Sequence, residues 1–171
     1  MRRHPPAHQL QPDLPLIHHH HALPPGVVEL AHIHDFSIEG RTWSFLRYQH
    51  KLILLMHYRQ QSGGDTQYGY FQREFPLEFL RWFPSALAQY EQNPSLAIEG
   101  TLGAEQLSLH ASDVGRGYCA VLNYSRCQRG HSPITDFRPQ ETIIANHFIY
   151  QGGLLALIKQ LGQQYLPAQP L

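Results

Sequence analysis

A glycine pair, Gly63 and Gly64, separates two segments that both have the composition of β-strands. The segment before the pair, "KLILLMHYR" at residues 51–59, is apolar at odd and even positions, as in a central strand with one face buried and the other partly covered. The segment after it, "TQYGYFQREF" at residues 66–75, returns with tyrosines on one face and Phe71 on the other. Because glycine readily adopts the positive φ angles of tight turns, the stretch predicts a β-hairpin.

The residues on either side of the hairpin predict the rest of a β-rich unit. "TWSFLRYQ" at residues 42–49 alternates in the manner of a strand, whereas residues 27–40 fit either a strand or a turn of helix. Pro76 suits a first helical position, and an apolar stripe from Leu77 to Tyr90 has roughly helical spacing. Pro84 lies inside that stripe, which predicts a kink or two short helices ending near residues 93–95.

The second half of the chain repeats this order of predicted elements. "SLAIEGTL", "EQLSLHAS" and "GYCAVLNYSRC" read as strands, "QRGHSP" reads as a turn around Gly130, and "ITDFRP" reads as a return strand. An apolar set within residues 140–161 predicts a terminal helix, which Gly152 and Gly153 weaken.

Several spacings favour an internal duplication. Ile-Glu-Gly occurs at residues 38–40 and again at 98–100, 60 positions later. Tyr58 lies 66 residues before Tyr124, and Phe71 lies 66 residues before Phe137, so the two hairpin regions align without a gap. We therefore predict an α+β fold with two tandem β-β-β-β-α-like repeats in one compact pseudo-symmetric domain.

The repeat divides the chain into four parts. Residues 1–28 form a predicted disordered Pro/His-rich tail, residues 29–93 and 94–164 form the two repeats, each ending in a helix, and residues 165–171 form a frayed C-terminus. The longest apolar run, "LILLM", is too short to cross a bilayer, and no secretory signal follows the two N-terminal arginines. We expect a cytoplasmic protein without membrane contact.

At the level of element order and repetition, residues 34–164 resemble the Pur-alpha repeat and Whirly families of single-stranded nucleic-acid-binding proteins. The resemblance implies a curved sheet face as the binding surface, with single-stranded DNA or RNA as the partner. Binding of that kind needs rings for base stacking and cations beside the phosphates. Formal net charge is zero, so any cationic site has to be local, and the acids Glu74, Glu78, Glu91, Glu105 and Glu141 are predicted mainly in helices or linkers.

The predicted nucleic-acid-binding residues are tyrosines and cations in or beside the predicted strands. They are Arg47, Lys51, Tyr58, Arg59, Tyr68, Tyr70, Arg73, Arg116, Tyr118, Tyr124, Arg126, Arg129 and Arg138. The alternative function is that of a protein-interaction accessory or regulatory factor whose exposed tyrosines meet a partner. Salt distinguishes the two, because only the nucleic-acid complex weakens steeply as ionic strength rises. Self-association into a homo-oligomer is compatible with either function.

Enzymatic and metal-binding functions have weaker support in the sequence. No GxSxG, HExxH, Walker or GxGxxG motif is present, so we expect no enzyme and no cofactor. The tract His18–His21 offers imidazole ligands for a divalent metal, and His32 and His34 offer a second set. The partners of that second set would be Asp35, Glu39, His57 or His110. Cys119 beside His57, His110 or His131 would imitate a thiol catalytic pair.

Overall fold

The computed structural model describes residues 14–37, 40–126, 129–131 and 141–168. In these residues the chain forms two antiparallel sheets and three helices, which confirms the α+β class. None of the described helices has the length and apolarity needed to cross a membrane.

The first sheet is a meander to which a short strand from the second half is added. Its spatial order is β1-β2-β3-β4-β8. The strands are β1 (Val27–Asp35), β2 (Arg41–Tyr48), β3 (Lys51–Ser62), β4 (Asp65–Pro76) and β8 (Arg129–His131). The predicted hairpin is confirmed, because β3 and β4 pair from Lys51↔Pro76 to Ser62↔Asp65, and both turn glycines have positive φ angles. The sequence of residues 27–35 fits either a strand or a turn of helix, and the structure shows a strand.

The second sheet has the order β5-β6-β7-β9 and is also antiparallel. Its strands are β5 (Ile98–Leu102), β6 (Glu105–Ala111), β7 (Tyr118–Asn123) and β9 (Glu141–Ala145). The three helices are α1 (Phe79–Gln92), α2 (Asn146–Tyr150) and α3 (Leu154–Tyr165). Helix α1 continues through Pro84, so the predicted division into two short helices is wrong. Its buried Phe79, Phe83 and Leu87 hold it against the core, and this packing offsets the loss of one backbone hydrogen bond at the proline.

Two predictions for the second half are wrong. The terminal helix does not begin near residue 140, because Glu141–Ala145 is a strand paired with β7. The β-branched run Thr142-Ile143-Ile144 suits a pleated strand, and Gly153, with a φ of 89°, then separates α2 from α3. The predicted turn at Gly130 lies in β8, which pairs with β4 through Phe71↔Gly130. The predicted return strand at residues 134–139, including Phe137, lies outside the described residues.

The two Ile-Glu-Gly sequences do not occupy equivalent places. Gly40, with a φ of 72°, directly precedes β2, whereas Gly100 lies inside β5. A Cβ atom at residue 100 would lie 2.2 Å from Trp82 Nε1, so glycine is required there by the close approach of helix α1. Glycine therefore provides a positive φ angle at residue 40 and room for the Trp82 side chain at residue 100.

One core joins both sheets to the helices. Helix α1 packs against α3, β5 and β6, and the apolar faces of the two sheets meet these helices in a single cluster. We call the face of the first sheet that carries Trp43, Leu54 and Phe75 the inner face. At roughly 1.5–3 kcal/mol for each fully buried large apolar side chain, this cluster is the main source of stability.

The opposite, outer face of the first sheet is covered by residues 14–26, which we call the strap. Leu14 and Ile17 are 5% and 3% exposed, and Ile17 packs with Leu46, Ile53 and Leu55. The predicted disordered tail is therefore wrong from residue 14 onward, and residues 1–13 lie outside the described residues. Burial of both faces explains why β3 is apolar at odd and even positions.

Candidate ligand-binding site

Three of the predicted nucleic-acid-binding cations form ion pairs between the two halves of the chain. Lys51 Nζ lies 2.6 Å from Glu105 Oε2, and Arg126 pairs with Glu105 as well as with Glu74, whose Oε1 is 3.6 Å from Arg126 Nη1. Arg129 Nε donates to Glu74 Oε2 over 3.0 Å. Because Glu74 and Glu105 are in strands β4 and β6, the prediction that the acids lie mainly in helices or linkers does not hold for them.

This group, Glu74, Glu105, Arg126, Arg129 and Lys51, is called the junction cluster below. Burial raises the pKa of Glu74, while hydrogen bonds from Arg129 oppose the rise. Asn123 Nδ2 donates to the Glu74 carbonyl and to Glu105 Oε1, at 2.9 and 3.2 Å. The cluster sets three cations against two carboxylates, and each carboxylate is ion-paired within it, which suits a structural connection between the sheets.

Three predicted tyrosines pack within the protein. Tyr70 is buried on the outer face, and Tyr124 is half-buried with its hydroxyl 3.2 Å from Ser108 Oγ. Tyr58 stacks on Phe71, with ring centroids 5.7 Å apart, and covers Gly69.

Five further predicted residues are at least partly accessible but are not brought together on one sheet face: Arg47, Arg59, Tyr68, Arg116 and Tyr118. Half-buried Arg47 donates to the Gln49 carbonyl near one end of β3, whereas Arg59 and Tyr68 are cross-strand neighbours near the other end. The two ends are roughly 20 Å apart at about 3.3 Å per residue. Arg116 and Tyr118 lie on the second half, and Arg138 lies outside the described residues. The described residues of the predicted set therefore do not share one sheet face.

A pocket of about 460 Å³ lies between the two sheets and contains another predicted cation, Arg73. Arg73 comes from β4 and Arg41 from the first position of β2. Alternation along the strands places both on the inner face, because Arg41 shares its parity with Trp43, and Arg73 shares its parity with Phe75. The second sheet closes the other side of the pocket through β9.

The two guanidinium groups experience each other's charge in a largely buried setting. Burial lowers the pKa of Arg41, and Asp35 opposes that shift from 3.9 Å. The pKa of Arg73 is lowered to about 9 by burial and by the neighbouring Arg41. Arg73 Nη2 donates to the Glu141 carbonyl over 3.3 Å, and the guanidinium lies 5.5 Å from the centre of the Phe71 ring. The pocket therefore holds two guanidinium groups and two carboxylates, those of Asp35 and Glu141, beside apolar surface.

Two buried polar atoms of residues that line this pocket have no hydrogen-bond partner in the described part of the chain. They are Arg41 Nε and Thr142 Oγ1. A buried polar group without a partner costs roughly 1–3 kcal/mol, so a bound acceptor would be stabilised here. Apolar atoms of Met56, Phe71 and Ile143 complete the lining. Val114 and Tyr118, which are exposed, place the opening beside the β6–β7 connection.

The residues considered for catalysis or metal binding are arranged differently. Cys119 is fully buried, and burial raises the pKa of its thiol to about 12, so no thiolate forms at neutral pH. His32 Nδ1 meets Glu29 Oε1 at 3.1 Å, and His34 Nδ1 meets Thr42 Oγ1 at 2.9 Å. Within the described ranges, no three His, Cys, Asp or Glu side chains are grouped to hold a metal ion, and Glu39 lies outside those ranges.

No protein-family model matches the chain, and no curated protein or solved structure is significantly similar to it. The resemblance to the Pur-alpha repeat and Whirly families therefore stays a prediction. Sequence reasoning missed Arg41 and Thr142 as site residues. The parity that Arg41 shares with Trp43 and Phe45 indicates that it lies on the same face of β2. Thr142 was missed because its segment was predicted as helix, whereas it is a strand.

Proposed function

We propose that this chain is a non-enzymatic binding protein for a small molecule that carries an oxyanion, either a carboxylate or a phosphate. The observation that carries the proposal is the buried Arg41 Nε, which has no hydrogen-bond partner among the described residues and belongs to a side chain that lines a pocket with Arg73. Guanidinium groups present planar donors that match carboxylate and phosphate oxygens.

Charge and size both support such a ligand. Two neighbouring buried guanidiniums repel each other, and an oxyanion between them relieves that repulsion while supplying the missing acceptor. Hydrogen bonds to charged groups contribute roughly 1.5–3 kcal/mol each. The volume of about 460 Å³ falls within the usual range of small-molecule sites, and Phe71, Met56 and Ile143 suit an apolar or aromatic body attached to the anion.

Calorimetric titration with phenyl phosphate, benzoate and inorganic phosphate tests the proposal, with benzylamine as a cation of similar shape. We expect saturable binding of the aryl anions and none of benzylamine. Arg41→Gln should weaken binding at least tenfold. Arg47→Gln is the matched control, because Arg47 is half-buried and lies outside the pocket. The proposal fails if no anion binds at millimolar concentration or if Arg41→Gln binds as the wild-type protein does.

Single-stranded nucleic-acid binding is a second proposed function, now restricted to the pocket opening. We call the pocket that contains Arg41 and Arg73 the arginine pocket. Exposed Arg116 and Tyr118 border a cavity that adjoins it, and Tyr118 lines both, which supports this function. A terminal phosphate would enter the arginine pocket while a base stacks on Tyr118. A fluorescence-polarisation titration of a labelled single-stranded oligonucleotide at two ionic strengths tests this. Binding that is lost in Tyr118→Ala and weakens with salt supports it, whereas a flat curve at low salt rejects it.

We also propose that the two halves derive from one duplicated unit. Each half has a four-stranded antiparallel sheet followed by helix, which supports this origin. Superposition of β1–α1 on β5–α3 tests it, and failure of the strand axes to align would reject it.

A further inference from the structure

The strap, residues 14–26, lies over the outer face of the first sheet and places a histidine directly on a histidine of that sheet. We propose that the strap is a pH-operated cover. In this proposal it is closed while His20 and His57 are neutral, and acidification releases it and exposes the apolar surface beneath.

Polar contacts hold one end of the strap. Ile17 N donates to Gln72 Oε1, and Gln72 Nε2 donates to the Pro15 carbonyl, both at 2.9 Å. Arg129 Nη2 donates to the Leu14 carbonyl over 2.8 Å. The side chain of Gln72 and the backbone groups do not titrate between pH 4 and 8, so they supply no response to protons themselves.

The middle of the strap is held by the stacked rings of His20 and His57. The rings of His20 and His57 are 4.0 Å apart at their centroids and only 12° from parallel. His20 Nδ1 is 3.0 Å from the Tyr70 hydroxyl, and His57 Nε2 is 3.2 Å from Ser44 Oγ. Two neutral imidazoles stack favourably in this way, whereas two imidazolium ions at 4.0 Å repel each other strongly.

The surroundings of the stack contain little negative charge. The titratable and charged groups around the strap and the stack come from four elements: His18, His19 and His21 of the strap, Glu29, His32 and His34 of β1, Tyr68, Tyr70 and Glu74 of β4, and Arg129 of β8. Burial and then the nearby histidines lower the pKa of His57. Glu29 raises the pKa of His20, but its effect is the smallest on that group. Glu74 holds Arg129 at the opposite end of the strap, so its protonation would loosen that end as well.

Proton linkage gives the direction of the switch. Burial, and then the charges of His20 and His21, lower the pKa of His57 from 6.5 to about 4. A released strap returns His57 to an ordinary pKa, so the open form takes up a proton between pH 6.5 and 4 that the closed form does not. Between pH 7.5 and pH 4.5 His57 alone shifts the equilibrium toward the open form by roughly 70-fold. The strap is closed at neutral pH and opens as pH falls.

Hydrogen–deuterium exchange of the full chain at pH 7.5 and pH 4.5, corrected for intrinsic rates, measures the opening. The reporters are the amides of Ile17 and Ala22, which donate to Gln72 Oε1 and to the His19 carbonyl. We expect their protection to fall at least tenfold at pH 4.5 while the amides of β3 stay protected. His57→Phe keeps a ring under His20 but removes the group whose pKa is lowered, so the fall should be much smaller in that variant.

His18→Gln is the matched control, because His18 is an exposed neighbour on the same strap. It should respond to pH as the wild-type protein does. Unchanged protection of the strap at pH 4.5 in the wild-type protein would overturn the proposal. Equal losses in His57→Phe and His18→Gln, or simultaneous loss of protection in β3, would overturn it too.

Discussion

The junction cluster and the arginine pocket are two places where arginines are buried between the same two sheets, and they differ in how their charge is matched. In the junction cluster, Arg126 meets two carboxylates, Glu74 and Glu105. In the pocket, Arg41 has one carboxylate at 3.9 Å, and its Nε has no hydrogen-bond partner among the described residues. The Arg126 side chain is inaccessible, whereas the pocket opens beside exposed Tyr118.

This difference separates a structural role from a binding role. A buried charged group that is already paired within the fold has no free donor for a ligand, and its removal lowers the stability of the fold. Buried donors that the fold leaves unsatisfied are destabilising unless something else accepts from them. Arginine content and burial alone do not distinguish the two cases, and the arrangement of nearby carboxylates does.

The largest expected effect is on stability at the junction cluster. Arg126→Met removes the only described cation that contacts both Glu74 and Glu105, and it leaves each buried carboxylate with a partly exposed partner, Arg129 for Glu74 and Lys51 for Glu105. We expect the free energy of unfolding to fall by roughly 3–5 kcal/mol, measured by urea denaturation. A loss below about 1 kcal/mol would show that the junction cluster is not structural.

Ligand binding should stabilise the protein through the pocket. An anion present at 100 times its dissociation constant should raise the free energy of unfolding by about 2.7 kcal/mol, measured by urea denaturation with and without phenyl phosphate. Arg41→Gln should lose most of this gain at the same ligand concentration, and Arg47→Gln should keep it. An equal gain in all three proteins would place the anion outside the pocket.

A smaller effect is expected from removing Arg41 in the absence of ligand. Arg41→Gln takes away a cation that repels Arg73, but it also breaks the contact with Asp35. We therefore expect the free energy of unfolding to change by less than about 1.5 kcal/mol, well below the loss in Arg126→Met. A loss as large as that of Arg126→Met would mean that the pocket arginines are structural, and the contrast between the two clusters would disappear.

The smallest effect is expected at the rim of the junction cluster. Lys51 pairs with Glu105 but is 29% exposed, so solvent screens the pair. Lys51→Gln should lower the free energy of unfolding by roughly 0.5–1 kcal/mol in the same denaturation assay. A loss matching that of Arg126→Met would show that depth of burial does not decide the strength of these pairs.

Local patterns predicted the parts of the fold that depend on nearby residues. The β3–β4 hairpin followed from Gly63, Gly64 and the strand-like segments beside them. Helix α1 and strands β2, β5, β6 and β7 were predicted from their spacing in the same way. Strand β9 was not, because the run Thr142-Ile143-Ile144 joins directly to a helical segment and only its pairing with β7 selects the strand.

The site was less predictable because it depends on contacts between distant residues. Lys51, Arg126 and Arg129 were correctly placed in or near strands, but their carboxylate partners, Glu74 and Glu105, lie 21 to 55 positions away in the sequence. The same holds for the strap, where Leu14 and Ile17 gave no periodic pattern and yet are buried. Charge pairing across a fold cannot be read from the local sequence.

The most direct test of the contrast between the two clusters is the response of arginine side chains to an anion. In a ¹H–¹⁵N spectrum of the side-chain Nε–H groups, titration with phenyl phosphate should shift the Arg41 resonance in a saturable way. The Arg126 resonance should not move, because Arg126 Nε already donates to Glu105. An Arg41 resonance that stays fixed at saturating ligand, or one that moves no more than that of Arg126, would contradict the assignment of the pocket as the binding site.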